Sequence, residues 1–331
     1  MPCNFRDLSV WIVIRKGDIK MELSLMMAQQ IACMMLMLLV GFAAGRLKLV
    51  PDGSSKALSA VNLYILCPAI LISAFQMEFS VNKLMLLLIG LLTAGVVNAI
   101  FIVMSNVFKK VFNIDDIDRM SLIYVNSGNL IMPLIAAVLG QEYVFYGCSA
   151  LAFMNTMFWF HGYQILSGDK SVKLKKAFLN PNIIAIFAGM VIFVCGIQLP
   201  VIASQTITRL ADCIGPMSML SVGFIMSELD LGKVFSNKRA YLISVLRLIV
   251  LPLMCILLIM LIRPARIYPG LEDVMLATMM AAAAPSAVMV SQMASLTGSD
   301  TAVASAVNII STLGCIITLP AMIMLYQILC M

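Results

Sequence analysis

Two apolar stretches of the chain are interrupted by small, polar and proline residues whose side chains could bind a small solute. The first reads YVNSGNLIMP over 124–133, and the second reads AAAAPSAVMVSQ over 281–292. Asn126 and Asn129 are three residues apart, which puts them on one helix face, and Gly128 permits a bend between them. Hydroxyl and amide groups of this kind can hydrogen-bond a carboxylate without a formal counter-charge. The predicted substrate-binding residues are Asn126, Ser127, Gly128, Asn129, Pro285, Ser286, Ser291 and Gln292.

Pro133 and Pro285 predict a helix break in each stretch. A proline inside a helix leaves the carbonyl four residues earlier without its partner. In lipid such a group is costly unless protein or a water-filled cavity satisfies it. The paired breaks therefore predict a polar cavity near the membrane midplane, with half-helix N-termini that attract anions. The alternative is that these residues only hold helices together, since proline, asparagine and serine all occur in membrane helices for that reason.

Few ionisable residues fall inside the apolar segments, and Arg247 is the one that could attract an anion into this cavity. Two other interpretations stay open for it, because its long side chain could reach the cytoplasmic face or pair with Glu228. The single histidine, His161, could couple protons or lie at the membrane interface. Neither 120–140 nor 274–299 contains Asp or Glu. This weighs against cation exchange, for which a carboxylate normally holds the cation.

The composition predicts an all-α integral membrane protein. Of 331 residues, 62% are hydrophobic and 11% are charged, whereas a soluble domain has roughly 45–50% apolar and about 25% charged residues. A soluble enzyme and a nucleic-acid-binding domain are therefore excluded. The nine cysteines form no CxxC or Cys/His cluster, and no nucleotide-binding loop or nucleophile motif occurs. We expect no enzymatic activity, no metal site and no cofactor.

About ten apolar segments have the length of about 20 residues that a membrane-spanning helix needs. They are 24–45, 54–76, 82–107, 119–139, 142–166, 181–198, 204–228, 239–262, 271–294 and 301–327. Most lysines and arginines of the connecting loops fall on one side, which the positive-inside rule makes cytoplasmic. The predicted location is the cell (inner or plasma) membrane, with several spans and with both chain ends outside.

The polar segment 167–180 divides the chain almost at its midpoint into halves of five spans, 21–166 and 181–331. We interpret it as a cytoplasmic linker. Because each half has an odd number of spans, the second half must insert upside down, which gives the inverted repeat common in secondary transporters. Residues 1–20 carry four basic residues that would lie outside against the rule. They are predicted to be a short extension or a mis-assigned start, with translation beginning at Met21 instead of Met1.

Five short motifs, taken in order, resemble those of the auxin efflux carrier (AEC) family of permeases in its bacterial form. They are VNLYILCPA at 61–69, NSGNLIMPL at 126–134, LRLIVLPL at 246–253, AAAPSA at 282–287 and TLP at 318–320. The resemblance runs from Met21 to the C-terminus. It identifies Asn126 with the family's crossover asparagine and Pro285 with its ninth-helix crossover proline. Val125 stands where plant members have another proline, which puts specificity for a plant hormone in doubt.

The resemblance implies a fold similar to the bile-acid symporters, with ten helices in two inverted five-helix repeats. The fourth and ninth helices would be broken and would cross at the substrate site. Spans one, two, six and seven would form a scaffold, and spans three to five and eight to ten would form a moving transport domain. Substrates of characterised relatives imply small organic anions.

The sequence thus predicts a secondary transporter for malate- or malonate-type carboxylates that works by elevator-like alternating access. Its predicted partners are the anion and the lipid bilayer, a homodimer is possible, and no nucleic acid is expected. Two alternatives stay open. One is a sodium- or proton-coupled symporter of the bile-acid symporter type, and the other is a membrane receptor or scaffold that does not transport.

Overall fold

A computed structural model of the protein describes residues 5–51, 53–168, 179–262 and 268–330. Within these ranges the chain is almost wholly helical, and its one extended pairing is an isolated two-residue bridge. Helices that are long and apolar enough to cross a membrane number six among the described residues. They are Ala28–Arg46, Ala57–Ala74, Val81–Phe112, Val201–Glu228, Lys238–Ile262 and Thr301–Cys330. The fold is that of an all-α membrane protein with several spans.

The described part of the first half contains eight α-helices. They are α1 (Phe5–Arg46), α2 (Ser54–Val61), α3 (Cys67–Ala74), α4 (Val81–Phe112), α5 (Asp116–Ile123), α6 (Met132–Val138), α7 (Gln141–Met157) and α8 (Tyr163–Ser167). Helix α1 continues through Met21 without a break, and the start of translation stays a prediction. Most of the predicted linker, 169–178, lies outside the described residues, as do residues 1–4.

The described part of the second half contains nine α-helices. They are α9 (Pro181–Val194), α10 (Val201–Asp212), α11 (Ile214–Glu228), α12 (Leu231–Ser236), α13 (Lys238–Val245), α14 (Leu251–Ile262), α15 (Leu271–Ala282), α16 (Val288–Thr297) and α17 (Thr301–Cys330). Helices of the two halves pack against each other: α1 against α11, α3 against α9 and α10, and α7 against α15. One continuous apolar core results.

Among the described residues, four π-helical turns each lead directly into an α-helix: Asn62–Leu66, Ser127–Ile131, Phe158–Gly162 and Leu246–Val250. Three of them come two residues before a proline, namely Pro68, Pro133 and Pro252. A proline cannot donate a backbone hydrogen bond and its ring clashes with the carbonyl four residues earlier. A wider turn relieves that clash while the helix continues.

Pro133 is therefore not a helix break, contrary to the prediction. One helical segment runs through it over Ser127–Val138. The interruption of this span falls earlier, where Tyr124 is extended and Asn126 is non-helical, with φ −81° and ψ 57°. The second interruption lies between α15 and α16 and contains Pro285.

Helices α1 and α11 approach so closely that only glycine fits at their contact. A Cβ atom on Gly41 would lie 2.5 Å from the carbonyl oxygen of Leu220. A Cβ atom on Gly223 would collide with the backbone of Leu38 and Phe42. Small residues that let two backbones meet are the typical basis of helix packing in membranes. This contact ties the first half of the chain to the second.

Candidate functional site

The two interrupted spans meet at their breaks and pair with each other through the backbone. The amide of Asn126 donates to the carbonyl oxygen of Pro285 at 2.9 Å, and the amide of Ala287 donates to that of Tyr124 at 3.0 Å. Val125 and Ser286 thereby form a short antiparallel bridge. Backbone groups that have left a helix must find partners inside a membrane protein. Here the backbone of each break provides hydrogen-bond partners for the backbone of the other.

Helix α17 stabilises the second break through hydrogen bonds to its backbone. The side-chain amide of Asn308 donates to the carbonyl oxygen of Ser286 at 2.6 Å. The backbone amide of Ser286 donates to the hydroxyl of Ser311 at 3.2 Å. Asn308 and Ser311 are one helical turn apart and both are buried. The non-helical backbone around Pro285 is therefore held by a helix outside the crossing pair.

A cavity of about 60 Å³ lies beside the crossing. Its polar lining is made of amides and hydroxyls, without a charged side chain among the described residues that line it. These polar residues are Ser59, Asn62, Asn126, Ser127, Asn129, Asn155, Asn182, Ser218 and Ser221. They come from spans that are far apart in the chain. The site is thus uncharged, polar and assembled from both halves.

Five buried polar atoms in this lining have no hydrogen-bond partner within the described structure. They are Asn62 Oδ1, Asn126 Nδ2, Asn155 Nδ2, Asn182 Oδ1 and Ser218 Oγ. Each of these side chains is at most 6% exposed. Buried polar groups are almost always paired, so a cluster of unpaired ones needs an explanation. A polar solute or water in the cavity would supply the partners.

Two helix N-termini border the same cavity. The segment Ser127–Val138 begins there with Ser127, Gly128 and Asn129, and α16 begins there with Val288 and Met289. Neither helix start has a side-chain cap. Uncapped N-terminal amides carry partial positive charge and bind anions. The cavity therefore has a positive backbone field without a basic side chain among its described lining.

Arg247 lies at the C-terminal ends of two helices and not at the N-termini beside the cavity. Its guanidinium is completely buried and does not line the cavity. It donates to the carbonyl oxygens of Ala282 at 2.8 Å and Ala284 at 3.1 Å, and more weakly to Leu122 at 3.4 Å. These carbonyls lie at or just beyond the C-terminal ends of α15 and α5. The guanidinium also stacks over the ring of Phe101, 4.7 Å from its centre.

The structure brings some predicted site residues together and not others. Asn126, Ser127, Gly128 and Asn129 line the cavity side by side. Pro285 and Ser286 form the bridge next to it, and Ser291 is half-buried away from the lining. The side chain of Gln292 lies outside the described part of the structure.

His161 and Glu228, the two other ionisable residues considered, have partners elsewhere. His161 Nδ1 lies 2.9 Å from the Tyr124 hydroxyl. Glu228 accepts a hydrogen bond from the hydroxyl of Ser55 at 2.9 Å, so its described contact is not with Arg247. Neither residue lines the cavity.

Sequence reasoning missed Asn62, Asn155 and Asn182 as cavity residues. Each lies in an apolar helix, where an amide is expensive unless it is paired. The presence of an amide at such a costly position is the sequence signal that could have indicated a buried polar site. A single amide in an apolar run does not show which other residues it meets, so the sequence does not place these three in one cavity.

Broken apolar helices that cross beside an uncharged polar cavity are typical of membrane transporters. The family model described as "membrane transport protein" matches residues 169–323. The second half of the chain is similar to this family, and the match supports the resemblance to AEC permeases. It is a family of transporters and not of enzymes. No curated protein matches the chain.

Proposed function

We propose that the protein is a secondary transporter for small organic anions, a class that includes malate- and malonate-type carboxylates. Its ten spans would form two inverted five-helix repeats, with the broken fourth and ninth spans crossing at the substrate site. The proposal rests on the family match of the second half and on the backbone bridge between the two breaks.

The observation that carries the proposal is the uncharged cavity with two uncapped helix N-termini at its edge. Each N-terminus is equivalent to about +0.5 elementary charge and stabilises an anion by about 0.3–2 kcal/mol. The amides of Asn126 and Asn155 add two unpaired donors in the same lining. Together these groups suit a carboxylate, and no bound cation is needed to balance it.

The composition of the lining also favours elevator-like alternating access. Asn62, Asn182 and Ser218 lie on spans that the resemblance assigns to the scaffold. Asn126 and Asn155 lie on spans that it assigns to the transport domain. A solute held at this boundary changes its access when one group of helices slides against the other. The small volume of the cavity suits an occluded state of such a cycle.

The test is counterflow in proteoliposomes. Vesicles with purified protein are loaded with one unlabelled carboxylate from a panel, and uptake of labelled malate or lactate is followed with and without sodium. Saturable exchange that does not depend on sodium supports the proposed carrier. Exchange that requires sodium favours the coupled symporter, and a pH gradient that drives uptake favours proton coupling. Binding without exchange by any carboxylate, in protein shown to be folded, favours the receptor.

A further inference from the structure

We infer that the cavity selects small, singly charged hydroxycarboxylates, such as lactate or glycolate, over fully ionised dicarboxylates. The inference rests on the proposed function and narrows its substrate class. It follows from three properties of the described lining: the sum of its charge, the kinds of unpaired atoms and the volume.

The charge of the site matches one carboxylate. Two helix N-termini of about +0.5 charge each contribute about +1 in total. Among the described lining residues no Lys, Arg or His adds to this sum. A second carboxylate would enter a buried site without a counter-charge, and burying an unpaired ion is strongly unfavourable. A dianion should therefore bind more weakly than a monoanion of the same kind.

Arg247, a buried cation of the crossing, does not line the cavity, and its charge is compensated by other groups. Arg247 is hydrogen-bonded to carbonyls at the C-terminal ends of α5 and α15. Two such ends are equivalent to about −1 elementary charge, which balances one guanidinium. The two N-termini at the cavity are thereby left as the net positive groups of the crossing.

The unpaired atoms of the lining call for a donor on the ligand as well as an acceptor. Asn126 Nδ2 and Asn155 Nδ2 can donate to a carboxylate. Asn62 Oδ1 and Asn182 Oδ1 are unpaired acceptors in the same lining, and a carboxylate has no hydrogen to offer them. A hydroxyl group beside the carboxylate supplies one hydrogen, which either of the two acceptors can take. An ammonium group would also donate, but it would add positive charge where the described lining has no anionic side chain.

The volume favours a small ligand. The cavity measures about 60 Å³, whereas a single water needs at least roughly 10–15 Å³. Among the carboxylates considered, glycolate and lactate are the smallest and therefore suit this volume best, malate is larger and an indole acid is much larger.

The experiment compares trans substrates in the counterflow assay at a pH well above the second pKa of the diacids. Labelled lactate is exchanged against unlabelled lactate, propionate, malonate, malate and alanine. Loss of the hydroxyl removes about 0.5–1.5 kcal/mol of hydrogen bonding, so propionate should bind about two- to twelvefold more weakly than lactate. The fully ionised diacids should be weaker than lactate by about tenfold or more, because their extra charge has no partner.

A variant series tests the assigned acceptors. Asn62→Leu and Asn182→Leu each remove one of the two acceptors that the hydroxyl can use. The double variant removes both, so it should bring the ratio of lactate to propionate affinity close to one, and at least one single variant should lower that ratio. Asn98→Leu is the matched control, since Asn98 is equally buried, has an unpaired Oδ1 and does not line the cavity. Its ratio should equal that of the wild type. Thermal unfolding identifies any variant that fails to fold. The comparison of trans substrates with the wild-type protein tests the inference even if a variant does not fold.

Each outcome of the exchange assay tests a different step of the inference. Diacids that exchange as well as lactate would overturn the charge argument, and propionate equal to lactate would overturn the hydroxyl argument. Preference for alanine would assign the acceptors to an ammonium group and overturn the proposal. Absence of exchange with every carboxylate in folded protein would instead reject the proposed function itself.

Discussion

Replacing Arg247 with methionine is expected to destabilise the crossing of the two broken spans. The guanidinium donates to the carbonyls of Ala282 and Ala284 at 2.8 and 3.1 Å and reaches Leu122 at 3.4 Å. Methionine fills much of the same volume and has no donor. The carbonyls beyond the helix ends would then lack partners in an environment without water.

The size of the effect follows from these contacts. Two buried carbonyls left unpaired cost about 1–3 kcal/mol each, and the lost stacking on Phe101 costs about 0.5–2 kcal/mol. Removing a buried cation returns part of this, because its desolvation no longer opposes folding. We expect a net loss of about 2–4 kcal/mol, since the guanidinium is already compensated by two helix C-termini of about −0.5 charge each. Arg247→Lys keeps the charge but loses the planar fork, so its loss should be smaller.

The assay is thermal unfolding in detergent at a fixed scan rate, with labelled-anion affinity measured on the same samples. At about 2 °C for each kcal/mol in a large domain, Arg247→Met should lower Tm by about 4–8 °C. Anion affinity should fall as well, because the bridge that positions the helix N-termini loosens. Arg209→Met is the control: Arg209 is exposed at the end of α10, and its loss should leave both readouts unchanged. A methionine variant as stable as the wild type, with the same affinity, would refute the bracing role of Arg247.

Three further substitutions test the site and the packing. Asn126→Ala should reduce flux at least tenfold yet leave Tm nearly unchanged, because the Asn126 Nδ2 has no partner to lose. Asn98→Ala is the buried control, and normal flux in the Asn126 variant would remove that residue from the site. Asn308→Leu should lower stability by about 1–3 kcal/mol, because the carbonyl of Ser286 loses its donor; an unchanged Tm would contradict the support assigned to α17. Gly223→Val should abolish folded, monodisperse protein in detergent, because the added carbons collide with the backbone of α1; a well-behaved variant would show that α1 and α11 can separate.

The sequence predicts best what depends on local composition. Runs of apolar residues indicated the helices, and the small and polar residues around Asn126 and Pro285 indicated the two interruptions. Pro133 was misjudged because a proline removes one hydrogen bond but does not decide whether the helix ends. A π-helical turn absorbs the strain at Ser127–Ile131, and the chain leaves the helix at Tyr124 instead. The count of ten spans and their inverted repeat stay predictions.

The features that depend on contacts between distant segments could not be predicted. Asn62, Asn155 and Asn182 are isolated amides in apolar runs, and only the fold brings them to one cavity. Arg247 was weighed as an anion attractor, as a side chain reaching the interface and as a partner of Glu228. Its observed partners are backbone carbonyls, which carry no signature in the sequence because every residue has one.

The bridge between the two breaks also has a consequence for how the protein is made. Tyr124 and Asn126 leave the ribosome long before Pro285 and Ala287, so their backbone partners do not exist when the first half enters the membrane. Unpaired backbone groups are not tolerated in lipid, so the first break must keep water or the insertion machinery beside it until the second half arrives. The binding site is consequently completed only after synthesis of the second break. We therefore expect a protein truncated within 167–180 to be unstable in the membrane, because the backbone groups of Tyr124 and Asn126 would lack the partners that the second break provides.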